Sequence, residues 1–303
     1  MENLPGLNPP VLAMVDKTLP TRLITFAGST VGVECEGDGA AKIVDFLYRD
    51  IPPAASPGPT AVTFRLLSDD NSDRLRLYRA ETLLYEGDAA AEAADLLLGQ
   101  SCYQLAKRSQ GGLLFHAGAL ALPGKGKGWL LPGGIGAGKT TLTAWLLSRG
   151  LGYLTDELAF VPDGAGTMQT FARPLNLKRP ARAALRDHFD FERHADRMLS
   201  TSAGDLISPE ALQPTRTAGA PGATCVSLIV FPRYQAGSDF VWRPLSKAQA
   251  GLALMKCLVN ARNLPEHGFP QISRLAKTVP AYAMTYSNFD QIEAQLEDLI
   301  AIS

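Results

Sequence analysis

Hydrophobic and polar residues follow two different periods in the first third of the chain. Near-alternating patterns, which are typical of strands with one buried face, occur over residues 21–36 (two strands joined near Gly28), 60–67, 74–80 and 81–86. Apolar residues spaced three and four apart predict a helix over 40–51 and a longer one, capped by Asp88, that continues to 109. Together these elements predict a small α+β module over residues 1–105.

The remaining two thirds mix strand and helix patterns, which predicts an α/β domain over residues 106–303. Two apolar runs within 112–133 flank the turn PGKGKG and predict a β-hairpin centred on Lys125. The other expected elements are strands at 225–232, 239–245 and 281–286, helices within 181–199, from Ser246 and from Asn288, and loops at 171–180 and 201–223.

The segment GGIGAGKT, residues 133–140, carries the most specific chemistry. It fits the pattern G, four free positions, then G-K-[S/T], and it stands between a predicted strand (128–132) and a predicted helix (139–150), as a phosphate-binding loop requires. Several amides must converge on a triphosphate, and a Cβ would block their approach, while the helix N-terminus adds partial positive charge. The predicted nucleotide-binding residues are Gly133, Gly134, Ile135, Gly136, Ala137, Gly138, Lys139, Thr140 and Thr141.

These residues predict ATP and Mg²⁺ as ligands. Lys139 is expected to reach the β- and γ-phosphates, and the Thr140 hydroxyl is expected to ligate Mg²⁺.

An acidic pair, Asp156-Glu157, follows the predicted helix. The helix from 139 to 149 spans about 16 Å at ~1.5 Å per residue, and an extended return over 151–155 covers about the same distance at ~3.3 Å per residue. A right-handed crossover therefore brings Asp156 beside the glycine-rich loop. Both acids are candidate catalytic residues and, with Thr140, candidate ligands of Mg²⁺.

His116 is the fourth candidate catalytic residue, besides Lys139 and the two acids. If the hairpin turns about Lys125, antiparallel pairing places His116 opposite about Gly134, at the mouth of the predicted phosphate site. A lone histidine is more commonly a packed, hydrogen-bonded residue, so a purely structural role stays open.

Composition narrows the classes of function. The 303 residues are 46% hydrophobic and 19% charged, with a formal net charge of −1, which predicts a large buried core. A net charge near zero argues against nucleic acid or an anionic membrane as the main partner, because both need a dominant positive field.

The lack of a recognisable targeting pattern and the cysteine usage favour a cytoplasmic protein. No apolar stretch approaches the length of a membrane span, and residues 1–15 lack the basic-then-apolar pattern of a secretory signal. The four cysteines are scattered singly, without metal-binding pairs or the density of a disulfide framework, so we expect reduced thiols.

The segments HAGALAL (116–122), GGIGAGKTT (133–141) and SRGLGYLTDELAFV (148–161) resemble the HPr serine kinase family, especially its HPr-kinase-related branch. The hallmark of this family is an acidic pair directly after the phosphate-loop helix. Later segments that also resemble the branch are RPLNLK (173–178), IVFPRY (229–234) and RPLSKAQA (243–250). The resemblance covers residues 110–290 and implies a P-loop kinase core of the HPr kinase/phosphoenolpyruvate carboxykinase type, with a mixed sheet and the smaller N-terminal α+β module.

The resemblance implies transfer of the ATP γ-phosphoryl group to a hydroxyl, with a serine of a protein or peptide as the acceptor. The histidine of the family corresponds to His116, and its first acid, the expected base, corresponds to Asp156. The second acid corresponds to Glu157, where HPr kinases have aspartate. The longer side chain leaves open which acid is the base and which binds Mg²⁺.

Other features limit or extend what the resemblance implies. The chain lacks a run like EIRGLGI, which accompanies phosphoserine dephosphorylation, so neither the reverse reaction nor HPr itself as the substrate is implied. Arg173, Lys178 and Arg233 lie in the later matching segments, where each could stabilise phosphate charge or be an ordinary surface residue. HPr kinases assemble as hexamers, which makes a homo-oligomer an expectation.

Two other functions stay open at this point. One is a small-molecule kinase that uses the same site, and the other is a non-catalytic, ATP-dependent regulatory or scaffold protein. The acidic pair and His116 favour an enzyme, because nucleotide binding alone needs no base.

Overall fold

The computed structural model describes residues 21–52, 58–69, 72–213 and 224–302. These residues form a mixed α/β protein with three sheets. None of the helices among them combines the length and the apolar character needed to cross a membrane. The expected absence of a secretory signal at 1–15 concerns residues outside the described ranges, and so does the part of the predicted loop 201–223 that covers residues 214–223.

The first sheet and its two helices occupy residues 21–107. Its elements are β1 (Thr21–Phe26), β2 (Ser29–Glu36), α1 (Asp38–Tyr48), β3 (Thr60–Ser68), β4 (Leu75–Arg79), β5 (Thr82–Gly87) and α2 (Ala90–Lys107). The strand order is β1-β2-β3-β4-β5, and only β2 and β3 are parallel, because α1 connects them as a crossover. The predicted strands are confirmed, but the prediction that Asp88 caps the long helix is wrong, since Ala89 occupies that position.

The rest of the chain contributes eleven strands and seven α-helices among the described residues. The first group is β6 (Gly112–Ala121), β7 (Lys127–Pro132), α3 (Lys139–Ser148), β8 (Gly152–Thr155), β9 (Leu158–Pro162), β10 (Thr167–Met168), β11 (Leu175–Lys178) and α4 (Arg179–Leu185). The second group is β12 (Met198–Ser200), β13 (Gly204–Ile207), α5 (Pro209–Leu212), β14 (Thr224–Tyr234), β15 (Val241–Pro244), α6 (Lys247–Cys257), α7 (Phe269–Thr278), β16 (Ala281–Tyr286), α8 (Asp290–Glu293) and α9 (Leu296–Ala301).

A mixed sheet of eight strands forms the centre of this part, in the order β15-β16-β14-β7-β6-β8. β10 pairs with β14, and β9 pairs with β6. β7, β14 and β16 are parallel, whereas β6 is antiparallel to both β7 and β8. β7 and β8 therefore run in the same direction, joined by α3, with β6 lying between them.

The long strand β6 pairs with β9 and with the last residue of β8 in one register, which shifts by one residue between Ala119 and Leu120. Ala119 faces Thr155 and His116 faces Leu158, so the partners are three residues apart on both sides. β8 and β9 are thus two halves of one strand, interrupted only at Asp156-Glu157. This interruption lies next to the point where β7 leaves β6.

Alternation along the central strands fills two layers around the eight-stranded sheet. Trp129 and Leu131 of β7 are buried in the cluster that includes Trp145 of α3. Leu130, between them, is buried on the other face with Leu254 of α6. The sheet therefore has a helical layer on each face, which fixes where the ends of its strands can lie.

Several predictions for the second half need correction. The region 171–180, which we expected to be a loop, contains the strand β11, and the expected loop 201–223 contains the strand β13 and the helix α5. The strands β11 and β13 belong to a three-stranded sheet of order β11-β13-β12. The helix predicted within 181–199 is replaced by α4 and a short 3-10 helix, Ala195–Arg197, and the last helix is divided into α8 and α9. α7 was not predicted. The hairpin, β14, β15, β16 and the start of α6 after the Ser246 cap are confirmed.

Candidate active site

The glycine-rich loop, residues 133–138, connects the end of β7 to the first turn of α3, where Thr140 and Thr141 lie. Gly136 and Gly138 have φ angles of +81° and +90°, a region that other residues rarely adopt. A Cβ at Gly138 would also lie 2.6 Å from the hydroxyl oxygen of Tyr286. The backbone conformation and the close packing both require glycine at this position.

This loop presents backbone donors at its surface. The amides of Gly136, Gly138 and Lys139 donate no hydrogen bond to any residue in the described part of the chain. Ile135, at the tip of the loop, is 85% exposed, so its side chain is not packed over these amides. Free amides at the start of a helix form a ready site for an anion.

Two contacts with neighbouring strands hold the loop in place. The Tyr234 amide, at the end of β14, donates to the Ala137 carbonyl oxygen at 3.1 Å. The Tyr286 hydroxyl, at the end of β16, donates to the Gly138 carbonyl oxygen at 3.4 Å. The loop is therefore anchored to the carboxyl ends of two strands beyond β7.

The Lys139 side chain folds back onto the loop. Its Nζ donates to the carbonyl oxygens of Gly133 and Gly134 at 2.8 and 3.0 Å, and the residue is 6% exposed. Burial lowers the pKa of Lys139, while the charges of Asp156 and Glu157 oppose that shift. A buried cation that is bonded only to carbonyl groups is suited to receive an anion.

Asp156 lies directly beside the loop. Its Oδ2 accepts a hydrogen bond of 2.9 Å from the Thr140 hydroxyl. Asp156 is 2% exposed, and its Oδ1 has no hydrogen-bond partner among the described residues. Burial raises the pKa of Asp156, and the Arg173 guanidinium is the strongest opposing influence. Since buried polar atoms are normally paired, the free Oδ1 indicates a place for a metal ion, a water molecule or a substrate group.

Glu157 and His116 form a second pair, closer to the surface. Glu157 Oε1 lies 3.3 Å from His116 Nε2, and the two side chains are 48% and 23% exposed. The hydrogen bond with His116 lowers the pKa of Glu157 to about 2. Glu157 has a φ angle of +80°, which turns the chain between β8 and β9 and directs the two acids into different environments.

The pairing register places His116 one residue away from its expected partner. Ala117 faces Pro132, and the Gly133 amide donates to the His116 carbonyl oxygen at 3.4 Å, whereas the sequence predicts Gly134 as the partner. The turn is therefore centred just before Lys125. Despite this shift, His116, Lys139, both acids and the glycine-rich loop meet at one edge of the sheet.

Arg173 is a buried cation near the two acids, so the alternative of an ordinary surface residue does not hold for it. It is 6% exposed, its Nε donates to the Pro174 carbonyl oxygen at 3.1 Å, and its Nη1 lies 3.9 Å from Cys102 Sγ. It forms no ion pair within the described ranges. Lys178 and Arg233, by contrast, are exposed.

The residues beside the loop fit Mg²⁺. The Thr140 hydroxyl and the Asp156 carboxylate are adjacent oxygen donors, and one carboxylate oxygen is free. Across the described part of the chain, no group of three or more His, Cys, Asp or Glu residues could hold a metal ion by itself. Nucleotide-linked Mg²⁺ needs only one or two protein carboxylates besides phosphate oxygens, so the pair is sufficient.

Tyr234 and Tyr286 were not identified from the sequence, although a signal for them exists. Each is the last residue of a strand, β14 or β16, that was predicted within a residue or two. The carboxyl ends of parallel strands meet at one edge of a sheet, where ligands bind in open α/β folds. What the sequence does not reveal is that these strands are parallel to β7 and adjacent to it.

The chain matches no protein-family model and no curated protein sequence. These two comparisons therefore assign no activity to the chain.

Proposed function

We propose that the chain is an ATP- and Mg²⁺-dependent kinase with a P-loop core of the HPr kinase/phosphoenolpyruvate carboxykinase type. The observation that carries this proposal is the hydrogen bond of 2.9 Å between the Thr140 hydroxyl and the buried Asp156 carboxylate. It joins the helix that follows a glycine-rich loop to the acid directly after the next strand in the chain, β8. An anion site and a cation site then lie side by side, as phosphoryl transfer requires.

Each group at the loop has a task in this proposal. The free amides of Gly136, Gly138 and Lys139 bind phosphate oxygens, and Lys139 Nζ exchanges its carbonyl partners for the β- and γ-phosphates. Thr140 and Asp156 would hold Mg²⁺, which would supply positive charge next to the phosphates. Arg173, buried behind the acids, helps to keep Asp156 ionised.

Accessibility supports a division of labour between the two acids. Asp156 is enclosed, whereas Glu157 is half exposed and can meet an acceptor hydroxyl from solvent. As the hydroxyl oxygen bonds to the γ-phosphorus, the bond from that phosphorus to the β-phosphate oxygen breaks and ADP leaves. The hydroxyl proton passes to Glu157, which is a weak base while the hydrogen bond with His116 holds its pKa at about 2. His116 orients Glu157 through its Nε2. The family resemblance implies the reverse division, with Asp156 as the base.

The proposed acceptor is a serine of a protein or peptide, as the resemblance implies. The test is incubation of the protein with γ-labelled ATP, Mg²⁺ and cell lysate, followed by separation of labelled protein from labelled metabolites. Label in protein or peptide is expected. Label only in metabolites would identify a small-molecule kinase, and tight ATP binding without any transfer would identify a regulatory protein.

A variant of Lys139 tests whether the glycine-rich loop is needed for ATP binding and transfer. We expect Lys139→Ala to weaken ATP binding roughly ten- to hundred-fold, because a hydrogen bond to a charged group contributes about 1.5–3 kcal/mol, and to abolish transfer. Lys125→Ala, at the exposed hairpin turn, is the matched control and should behave as the wild type. Normal transfer by Lys139→Ala would remove the loop from the mechanism.

The two acids can be separated by their metal dependence. Asp156→Asn should raise the Mg²⁺ concentration needed for transfer, whereas Glu157→Gln should lower kcat at an unchanged Mg²⁺ requirement. Asp163→Asn, an exposed acid in the turn after β9, serves as the control. The opposite pattern would support Asp156 as the base.

A further inference from the structure

The two sides of the glycine-rich loop carry different side chains. Asp156, Glu157 and His116 lie on the side of β6 and β8. On the opposite side, next to β7, the parallel strands β14 and β16 end at Tyr234 and Tyr286. The acids and the tyrosines therefore flank the loop from two directions.

Tyr234 is held directly against the loop while its ring remains accessible. Its amide donates to the Ala137 carbonyl oxygen at 3.1 Å, and its Cβ would lie 3.1 Å from a Cβ added at Gly138. The residue is 51% exposed. Its ring packs on the buried Tyr286, with ring centroids 5.8 Å apart at an interplanar angle of 69°. One part of the ring is supported by the protein and another is open to solvent.

The chain after Tyr234 is also tied down. The Gln235 amide donates to the Tyr286 carbonyl oxygen at 2.9 Å, and Gln291 Nε2 donates to the Ser238 carbonyl oxygen at 3.0 Å. These bonds fix the turn that follows β14 to β16 and α8. Tyr234 is therefore a preorganised aromatic surface beside the loop, which lowers the entropy cost of binding to it.

We infer that the nucleoside lies on the β14–β16 side of the loop and that its base stacks on Tyr234. The inference rests on the proposed function, because a γ-phosphate directed at Asp156 sends the rest of the nucleotide away from β6. An aromatic ring binds any base through its π-face, and a tyrosine loses little conformational freedom in doing so. Tyr234 thereby distinguishes a nucleotide from a bare polyphosphate.

The test compares two ligands that share the phosphates but differ in the base. Mg²⁺–ATP and Mg²⁺–tripolyphosphate are titrated calorimetrically into the full-length wild type, Tyr234→Ala and Tyr234→Phe. Tyr234→Ala should weaken ATP binding on the order of ten-fold, as expected for one lost base stack, and leave tripolyphosphate binding unchanged. Tyr234→Phe, which keeps the ring, should bind ATP as the wild type does.

Tripolyphosphate binding separates the contribution of the base from that of the phosphates in each variant. Tyr103→Ala, at an exposed tyrosine on α2, is the matched control and should change neither titration. Unchanged ATP affinity in Tyr234→Ala, or an equal loss of both ligands, would overturn the stacking role and leave the proposed function standing. A wild type that binds neither ligand would overturn the proposed function and this inference with it.

Discussion

Among single residues, Gly118 decides how closely α3 approaches β6 beside Asp156. A Cβ at Gly118 would lie 2.6 Å from Thr143 Oγ1 and 3.6 Å from Asp156 Oδ1. Gly118 does not have a positive φ angle, so the requirement for glycine is steric alone. Thr143 Oγ1 is buried and has no hydrogen-bond partner among the described residues, so a substitution that removes this oxygen breaks no hydrogen bond among them.

We expect Gly118→Ala to lower the free energy of unfolding by about 1–3 kcal/mol through overpacking, and to reduce ATP binding because α3 carries part of the proposed phosphate site. Thr143→Ala removes the atom that the new Cβ meets, so the double variant should regain most of the loss. Urea denaturation and ATP titration of both single variants and the double variant measure this coupling.

Gly99→Ala is the matched control for this substitution. Gly99 lies within α2, where a Cβ would meet nothing within 4 Å, so alanine should stabilise the protein by up to about 1 kcal/mol. Equal stability losses in Gly118→Ala and in the double variant would show that Thr143 is not the obstacle.

The part of the site that is local in sequence could be predicted, and the part that depends on distant elements could not. The loop, Lys139 and Asp156 lie within a single strand–helix–strand unit whose lengths match, so their proximity follows from spacing. His116 required a hairpin register, which the sequence defines only to within a residue or two, and the observed register differs from the expected one by one residue. Arg173 is buried and contacts Cys102 of α2, and no pattern along the chain indicates that contact.

Among the elements, α2 and β11 form a polar connection between the first sheet and the three-stranded sheet. Asn176 Nδ2 donates to Asp95 Oδ1 at 2.8 Å. Burial raises the pKa of Asp95, although the charge of Arg173 and the hydrogen bond from Asn176 oppose the shift. Folding therefore disfavours the ionised form of this carboxyl group.

We expect Asp95→Asn to be more stable than the wild type at pH 7. A carboxyl group whose pKa is raised by folding stabilises the folded state most when it is protonated. That stabilisation is lost as the pH rises from the pKa of the unfolded state to the pKa of the folded state. The asparagine oxygen can still accept from Asn176. The stability advantage of Asp95→Asn over the wild type should therefore be largest at pH 7 and should shrink as the pH falls towards the unfolded-state pKa of about 4.

Denaturant unfolding of the wild type and Asp95→Asn from pH 7 towards pH 4 measures the difference. Asp73→Asn, at an exposed acid before β4, should show no such trend. A variant that is less stable than the wild type at pH 7 would mean that attraction between Asp95 and Arg173 outweighs the cost of burial.

Elements with a strong period and a local partner were predictable, whereas short elements with distant partners were not. The hairpin β6–β7 and the strands β3 to β5 pair with neighbours along the chain. β11 pairs with β13, which is more than twenty residues away, and each strand has only four residues. Such a strand obtains its hydrogen bonds and burial from tertiary contacts, and it is too short to show a clear hydrophobic alternation in its sequence.

Across the whole molecule, the two large sheets share one hydrophobic core. Residues on the first sheet and its helices cluster with Leu114, Leu158, Phe160, Phe171 and Leu206 from the second part of the chain. Because β6, β8 and β9 position the acids, and Leu114 and Leu158 belong to β6 and β9, packing of the first module supports the strands that carry the site.

We expect Phe171→Ala to destabilise both parts of the molecule together. Phe171 stacks on Phe26 of β1, with ring centroids 4.4 Å apart, and neither ring is more than 1% exposed. Truncation of such a ring costs about 3–5 kcal/mol. The three tryptophans, Trp129, Trp145 and Trp242, all lie in the second part, so their fluorescence reports that part, while far-ultraviolet circular dichroism reports the whole chain.

In the wild type the two probes should give one coincident unfolding transition, and in Phe171→Ala both should shift to lower denaturant by the same amount. Phe269→Ala, at a ring that is 61% exposed at the start of α7, should shift neither by more than about 0.5 kcal/mol. A fluorescence transition that stays in place while the dichroism transition moves would mean that the second part folds independently of the first. The shared core would then be a contact between two separately stable units, and loss of the first module would leave the site intact.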